Sequence, residues 1–370
     1  MIYRIESITT TIVDLPIRRP HGIGVVSMSR QSAVIVQLRT TDGVVGLGEG
    51  VVPGGGPQWG GESVETIQQI IDCYLAPALS GKSFNGVNEI TAALLKLTPH
   101  NHFSVAAIEM AAWDLAGKYA GCSVAELLGG LQRDHIDVPW SIGGNVVDPL
   151  QEALEYHDAG HQTIKFMLGT RDPADDASRV VNLMPQLPAK TVVIIDCNGT
   201  WDEASAHRWL PALGDAGVQI AEQPLPAWDI AGSSRLAAKT GIQIMADEGI
   251  CSIHDAFKIG AAHSADILAI KVPKLGGVLA ALKACGVAQA AGLAVYGGGT
   301  METSIGTSAA AQLFGTFDKL TGCDLIGPLL MTDDIVTQPV QYKSGQLRIP
   351  QGAGLGVDLD LDKLNHYARS

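Results

Sequence analysis

The chain predicts a parallel β/α barrel preceded by an α+β domain, and two observations carry that expectation. Polar residues close six apolar, β-branched runs at nearly constant spacing. They are Lys165 in TIKFMLG, Asp196 in VVIIDCN, Glu222 in VQIAEQP, Asp247 in IQIMADE, Lys271 in ILAIKVPK and Tyr296 in LAVYGGGT, with gaps of 31, 26, 25, 24 and 25 residues. A βαβ unit takes roughly 30 residues. The runs therefore read as consecutive strands whose polar tips converge on one face, where barrel enzymes keep their chemistry. The first 130 or so residues follow a different rhythm, with alternating strand-like sequence first and helical periodicity after it.

Taken in order, residues 1–50 read as an antiparallel meander with a hairpin signal at Asp42-Gly43. The Gly/Pro-rich stretch 51–61 has no phosphate-cradling pattern and is expected to cover a site. Helical patterns follow, the last of them SVAAIEMAAWDLAGKYAG, with Gly121 as its stop. Ser123 to Glu126 resembles a capping box. From VPWSIGG onward strand and helix alternate, and Trp140 extends the barrel period backwards by 25 residues. After 330 the sequence is strand-like again. The expected organisation is a capping domain over 1–130, a barrel over 131–330 and a C-terminal segment over 331–370 that packs back on the capping domain.

Composition narrows the function. With 46% hydrophobic and 17% charged residues a sizeable core is expected, and a net charge of -13 disfavours a nucleic-acid or anionic-membrane partner. The six cysteines form no CxxC pair, so reduced thiols are expected rather than a zinc ribbon or disulfide framework. The opening Met1-Ile2-Tyr3-Arg4 runs straight into strand-like sequence without a secretory pattern. No apolar stretch approaches the roughly 20 residues of a membrane span. A cytoplasmic enzyme is the expectation.

Asp196, Glu222 and Asp247 place three carboxylates on three successive strand tips. Three oxygen ligands with room for water and substrate suit one hard divalent ion, Mg²⁺ or Mn²⁺. A lone Asp at a strand end is usually a helix cap or a loop acceptor, but three at barrel period argue for a shared centre. Lys271 ends a very apolar strand, where an unpaired ammonium is costly. It must pair, most simply with Asp247, or act as an acid/base, its pKa lowered by burial and metal. Lys274 reads as a rim lysine, and Lys165 occupies the matching tip across the mouth. Glu302 lies in GGGTMETSIGT, where backbone N–H groups are placed for a substrate carboxylate, and Ser304 of that segment is a further candidate for substrate contact.

These pieces resemble a known family. TIKFMLG, DCNGTWDEASA, IAEQP, IMADE, the K-x-x-K-x-GG stretch from Lys271 to Gly277, GGGTMETSIGT and DLIGPLLMTDDIV are together similar to the muconate lactonizing group of the enolase superfamily, over essentially the whole chain. The resemblance implies a (β/α)7β modified TIM barrel under an α+β capping domain. It implies Asp196, Glu222 and Asp247 as metal ligands, with Asn198 beside the metal. It also implies Lys271 as acid/base, Glu302 near the substrate, a small dicarboxylate substrate and a homo-oligomer. The capping loops would set specificity, with His21, Ile23 and Trp59 as candidate walls. The chain departs from the family at one point. Similar proteins carry Lys-x-Lys on the second strand, and this chain has Lys165-Phe166-Met167. A thioether exchanges no proton, so a racemase or epimerase, which needs a group on each face, is disfavoured. The expectation is a cycloisomerase of cis,cis-muconate or a substituted muconate, giving muconolactone through an enediolate. Lys271 would supply the proton with anti stereochemistry. A hydroxy-acid or acid-sugar dehydratase is the alternative, and a non-catalytic barrel a more distant one.

Overall fold

β1 (Ile2–Ile23) and β2 (Val26–Thr40) pair antiparallel over most of their length. The structure, a computed structural model, describes residues 2–23 and 26–369, apart from the side chains of Ile23 and Val26. β3 (Val45–Val51) flanks β2 and β4 (Ser83–Asn85) flanks β1, giving the order β3-β2-β1-β4. The β2–β3 turn needs Gly43, whose φ of +90° is closed to most side chains. Three helices cover this sheet: α1 (Val64–Ile70), α2 (Val87–Leu97) and α3 (His102–Ala120). Ser63 and Thr66 cap α1 reciprocally, and α3 ends at Gly121 with φ +67°. α3 presses directly on β3, because a Cβ at Gly48 would lie 1.9 Å from the Ala107 carbonyl oxygen. The Ser123–Glu126 capping box forms as expected.

Seven parallel strands follow: β5 (Trp140–Ile142), β6 (Thr163–Met167), β7 (Val192–Asp196), β8 (Ile220–Glu222), β9 (Gln243–Ala246), β10 (Ile267–Ile270) and β11 (Ala294–Gly297). Each lies beside its sequence neighbour. Helices α4 (Pro149–Asp158), α5 (Pro173–Leu183), α6 (Glu203–Asp215), α7 (Ile230–Ala237), α8 (Ile253–Ala261), α9 (Val278–Ala290) and α10 (Ser304–Phe314) pack outside. Asp148, Asp172, Asp202, Asp229 and Ser252 cap the first five through their side chains. Residues 321–324 take the eighth barrel position through one bridge, Gly297 to Cys323. Inside the barrel Ile194, Ile220, Met245, Ile267, Ala269 and Tyr296 form their own core. Tyr296 is thus barrel filling rather than the polar tip expected of it.

The chain after 330 returns to β1. Ile17 bridges Met331, Val13 bridges Ala368 beyond α11 (Leu361–Tyr367), and the Arg369 guanidinium reaches Asp14 and Ser32. All six cysteines are free thiols. Among the described residues no helix is long and apolar enough to cross a membrane.

Candidate active site

A cavity of about 420 Å³ opens where the strand tips face the capping domain. Lys165, Met167, Asp196, Asn198, Asp247, Lys271 and Lys274 line it from the barrel, with His21 and Trp59 from the capping domain. Parallel register explains the convergence. Met167 pairs with Asp196, Asp196 with Glu222, and Glu222 with Met245, so the tips stand at one height.

Two lysine clusters divide the charge. The Lys165 ammonium, almost fully buried, lies 3.0 Å from Asp196, 2.7 Å from Glu222 and 2.6 Å from Asp324. Burial works against its charge, but Asp196, Asp324 and Glu222 outweigh burial and hold the pKa well above the usual lysine value. Asp247 receives both other ammoniums, Lys271 at 2.6 Å and Lys274 at 2.9 Å. Burial opposes its ionisation, yet the two lysines hold its carboxyl far below the ordinary range. Burial likewise disfavours the Lys271 charge, and Asp247, Glu222 and Glu248 overcome it, so its pKa is raised. The lowering of the Lys271 pKa expected from burial and a metal is thus opposed by its carboxylate neighbours, which favour the ammonium. Lys274 is not the rim lysine expected: it is buried and donates to the Asp247 backbone carbonyl at 2.5 Å as well as to its carboxylate.

The other sequence candidates divide. Asn198 lines the cavity, takes its backbone N–H to Asp196 and donates its amide to Glu248. Met167 is buried but reaches the cavity wall. Trp59 lines it with an indole N–H that finds no partner. The Ile23 side chain lies outside the described residues. Glu302 does not line the cavity but lies behind residues that do: Thr300, on the wall, gives both its N–H and its hydroxyl to Glu302 Oε1. Ser304 is corrected outright. It is fully buried, donates to Asp334 and accepts from the Val340 N–H, so its hydroxyl is committed away from the cavity.

Sequence reasoning missed Asp324 and Glu248. Asp324 follows Tyr296 by 28 residues, one more β/α period, and that count would have found it. Its carboxylate closes the Lys165 cluster. Glu248 adjoins Asp247; burial first, then Asp247 and Asp196, push its carboxyl up to about 7.

Whether the carboxylates suit a metal is testable on their unmet needs. Among the described residues no group of three His, Cys, Asp or Glu side chains is set to hold a metal ion; the Lys165 ammonium occupies the point where Asp196, Glu222 and Asp324 converge. Yet Asn198 Oδ1, Glu222 Oε2 and Glu248 Oε2 are buried and accept no hydrogen bond. Glu222 Oε2 is close to Lys165 but off the hydrogen-bonding direction. Burial, then the Asp196 charge, raise the Glu222 pKa well above normal. Crowded, under-satisfied oxygen donors match a hard divalent ion in chemistry.

This constellation on a capped, curled parallel sheet defines an enolase-superfamily enzyme. Residues 148–363 match the enolase C-terminal domain-like model, and residues 7–129 match the N-terminal domain of mandelate racemase / muconate lactonizing enzyme. The chain belongs to that family, as a muconate cycloisomerase-type enzyme. It is 41% identical to muconate cycloisomerase 1 of Pseudomonas putida, over 100% of this chain and 99% of that one. The crystal structure of 2-chloromuconate cycloisomerase from Rhodococcus opacus 1CP is similar at 43% identity and a TM-score of 0.96, covering 99% of this chain and 100% of the other. Muconate lactonizing enzyme from Pseudomonas fluorescens, complexed with muconolactone, is 37% identical with a TM-score of 0.96 over 99% and 100%.

Proposed function

We propose that this enzyme lactonises cis,cis-muconate or a substituted muconate to the corresponding muconolactone, with Lys271 delivering the proton. One observation carries the choice of lysine. Of the three ammoniums on the cavity wall, Lys165 is held by three carboxylates and Lys274 by two acceptors, whereas Lys271 donates to Asp247 alone. Lys271 therefore keeps N–H bonds for a substrate. On the opposite strand Met167 stands where an acid would serve the other face.

In the reaction a carboxylate oxygen at one end of muconate adds to C4 of the far double bond. The displaced π pair moves to C5 and into the second carboxylate as an enediolate. C5 then takes a proton from the Lys271 ammonium, and the C4–O bond is the one new ring bond. Lys165 supports the negative charge through the electrostatics of the mouth, where low dielectric strengthens each interaction. His21, whose pKa burial, Arg19 and Lys165 depress to about 3, stays neutral and lends no proton. Asp196, Glu222 and Asp247, with Asn198 alongside, would hold one Mg²⁺ or Mn²⁺. That ion would supply further positive charge to the enediolate. With Lys271 as the only ammonium that keeps N–H bonds free, and the ring oxygen adding from the face opposite it, addition and protonation follow an anti course.

Ultraviolet absorbance tests the substrate: the muconate chromophore is expected to disappear on adding enzyme with Mg²⁺ or Mn²⁺, and no change with either metal sinks the proposal. Repeating the reaction in D₂O reads the face. A single deuterated lactone of anti configuration is expected, and a syn or racemic product removes Lys271 from the donor role.

A further inference from the structure

The two glycines of Lys271-Val272-Pro273-Lys274-Leu275-Gly276-Gly277 have no part in the chemistry above, yet they mark how this loop is held. Lys271 to Val278 is one tight turn: the Leu275 N–H reaches the Lys271 carbonyl, and the Gly277 N–H reaches the Val272 carbonyl at 3.1 Å. Both lysines that converge on Asp247 ride on it. Their heads are fixed by that one carboxylate. The backbone beneath them is gripped from elsewhere.

The grip comes from the capping domain. One stripe of α3, at positions i, i+3 and i+7, faces the loop. His102 Nδ1 meets the Lys274 carbonyl at 2.9 Å. Val105 lies against Gly276. Glu109, fully buried, accepts the Val278 N–H at 2.8 Å and the Leu279 N–H at 3.0 Å, the two open amides at the start of α9. The Trp113 indole N–H, one turn along, donates to the same carboxylate at 2.8 Å and fixes its rotamer. The second glycine is the consequence. A Cβ at Gly277 would fall 2.2 Å from Glu109 Oε2, and the residue sits at φ +124°. No residue with a side chain admits the carboxylate this close.

We propose that Glu109, assisted by His102, is a positioning residue: it sets the height and angle of the sixth-strand loop, and through it the placement of the Lys271 and Lys274 ammoniums in the cavity. The capping domain then does more than wall the site. It aligns the proton donor from behind, through backbone atoms, without touching substrate. The catalytic part of this inference rests on the Lys271 assignment above, whereas the mechanical part stands without it.

A control exists on the same helix. Asp114 is equally buried and also binds backbone amides, those of Leu47 and Leu355, but makes no hydrogen bond to residues 271–279. The full-length variants Glu109→Gln, Glu109→Ala, His102→Ala, Gly277→Ala and Asp114→Asn are compared by two readouts. The first is the rate at which an amine-acylating reagent labels Lys271 and Lys274, followed by mass spectrometry without substrate. The second is kcat and KM with cis,cis-muconate. Glu109→Ala and Gly277→Ala are expected to raise labelling of these two lysines several-fold and to lower kcat by about 10²-fold, the cost of roughly 1 Å of misplacement. KM should change little. Glu109→Gln, keeping one acceptor oxygen, should fall between them and wild type. Should the Glu109 and Gly277 variants fail to fold, His102→Ala, at a half-buried site, carries the test with a smaller change in the same direction. Labelling and kcat that follow only thermal stability, moving no more than in Asp114→Asn, overturn the proposal. If wild type does not convert muconate, the functional reading fails while the labelling comparison still decides the clamp.

Discussion

Two strand tips of one barrel each present a lysine, and their surroundings make them different groups. Lys165, inside β6, is enclosed by Asp196, Glu222 and Asp324. Lys271, one residue past β10, has Asp247 as its single partner and shares it with Lys274. Lys165 is buried and Lys271 partly so, and the neighbours of each favour the ammonium. The first is committed to neutralising carboxylates and the second retains donors for a ligand. Residue type at a strand tip therefore says little about role. The number of acceptors each ammonium must satisfy decides it.

The largest expected effect tests that division from the free side. Lys271→Ala should lower kcat by about 10²–10⁴-fold, the usual worth of a general acid, with the melting temperature little changed. Near wild-type turnover would erase the contrast. On the committed side, Lys165→Met should act mainly on stability. The buried Asp196 and Glu222 and the partly buried Asp324 would lose their shared cation, at a cost of about 3–5 kcal/mol, measured by denaturant unfolding in the presence of a chelator. A smaller loss, about 1.5–3 kcal/mol, is expected for Asp324→Asn, because Asp196 and Glu222 still hold Lys165. Equal losses for the two variants would mean that Asp324 alone secures the lysine.

Met167→Lys sharpens the comparison without removing anything. It places an ammonium on the second face, and a fraction of the lactone formed in D₂O should then carry deuterium from that face, read by NMR. Unchanged product would mean that the β6 side does not reach C5. A pH slope tests the β10 side by itself. Burial raises the Glu109 pKa from 4.5 to about 7, against the lowering influence of Leu279, Val278 and Trp113. The folded state then binds this proton more tightly than the unfolded one. Its contribution is complete below pH 4.5 and is lost as pH rises through about 7. The stability of Glu109→Gln relative to wild type should accordingly climb between those values, followed by thermal melts at several pH values. A flat difference would show that Glu109 stays ionised throughout.

Much of the site was legible because period and polarity survive in the linear sequence. A carboxylate or lysine after each apolar run gave Lys165, Asp196, Glu222, Asp247 and Lys271, and parallel pairing brought them level. Asp324 escaped as a site residue because its stave is a single bridge without an apolar run before it, although the residue count and the segment DLIGPLLMTDDIV, which it opens, both pointed there. Glu302 and Ser304 looked alike in GGGTMETSIGT, a segment with no periodicity, and nothing there told which side chains would turn inward. Thr300 and Asp334 settled that.

The architecture and the order of the tips follow from spacing and residue type along one chain, and the resemblance to the family marks Met167 as the place of an absent lysine. What only the tertiary structure decided is partnership. Three carboxylates drawn from β7, β8 and the eighth stave close around Lys165, two lysines share Asp247, and a glutamate from the capping domain holds the loop that carries them. A buried charge takes its state from whichever groups lie within a few ångströms, and here those groups come from residues up to 170 positions apart.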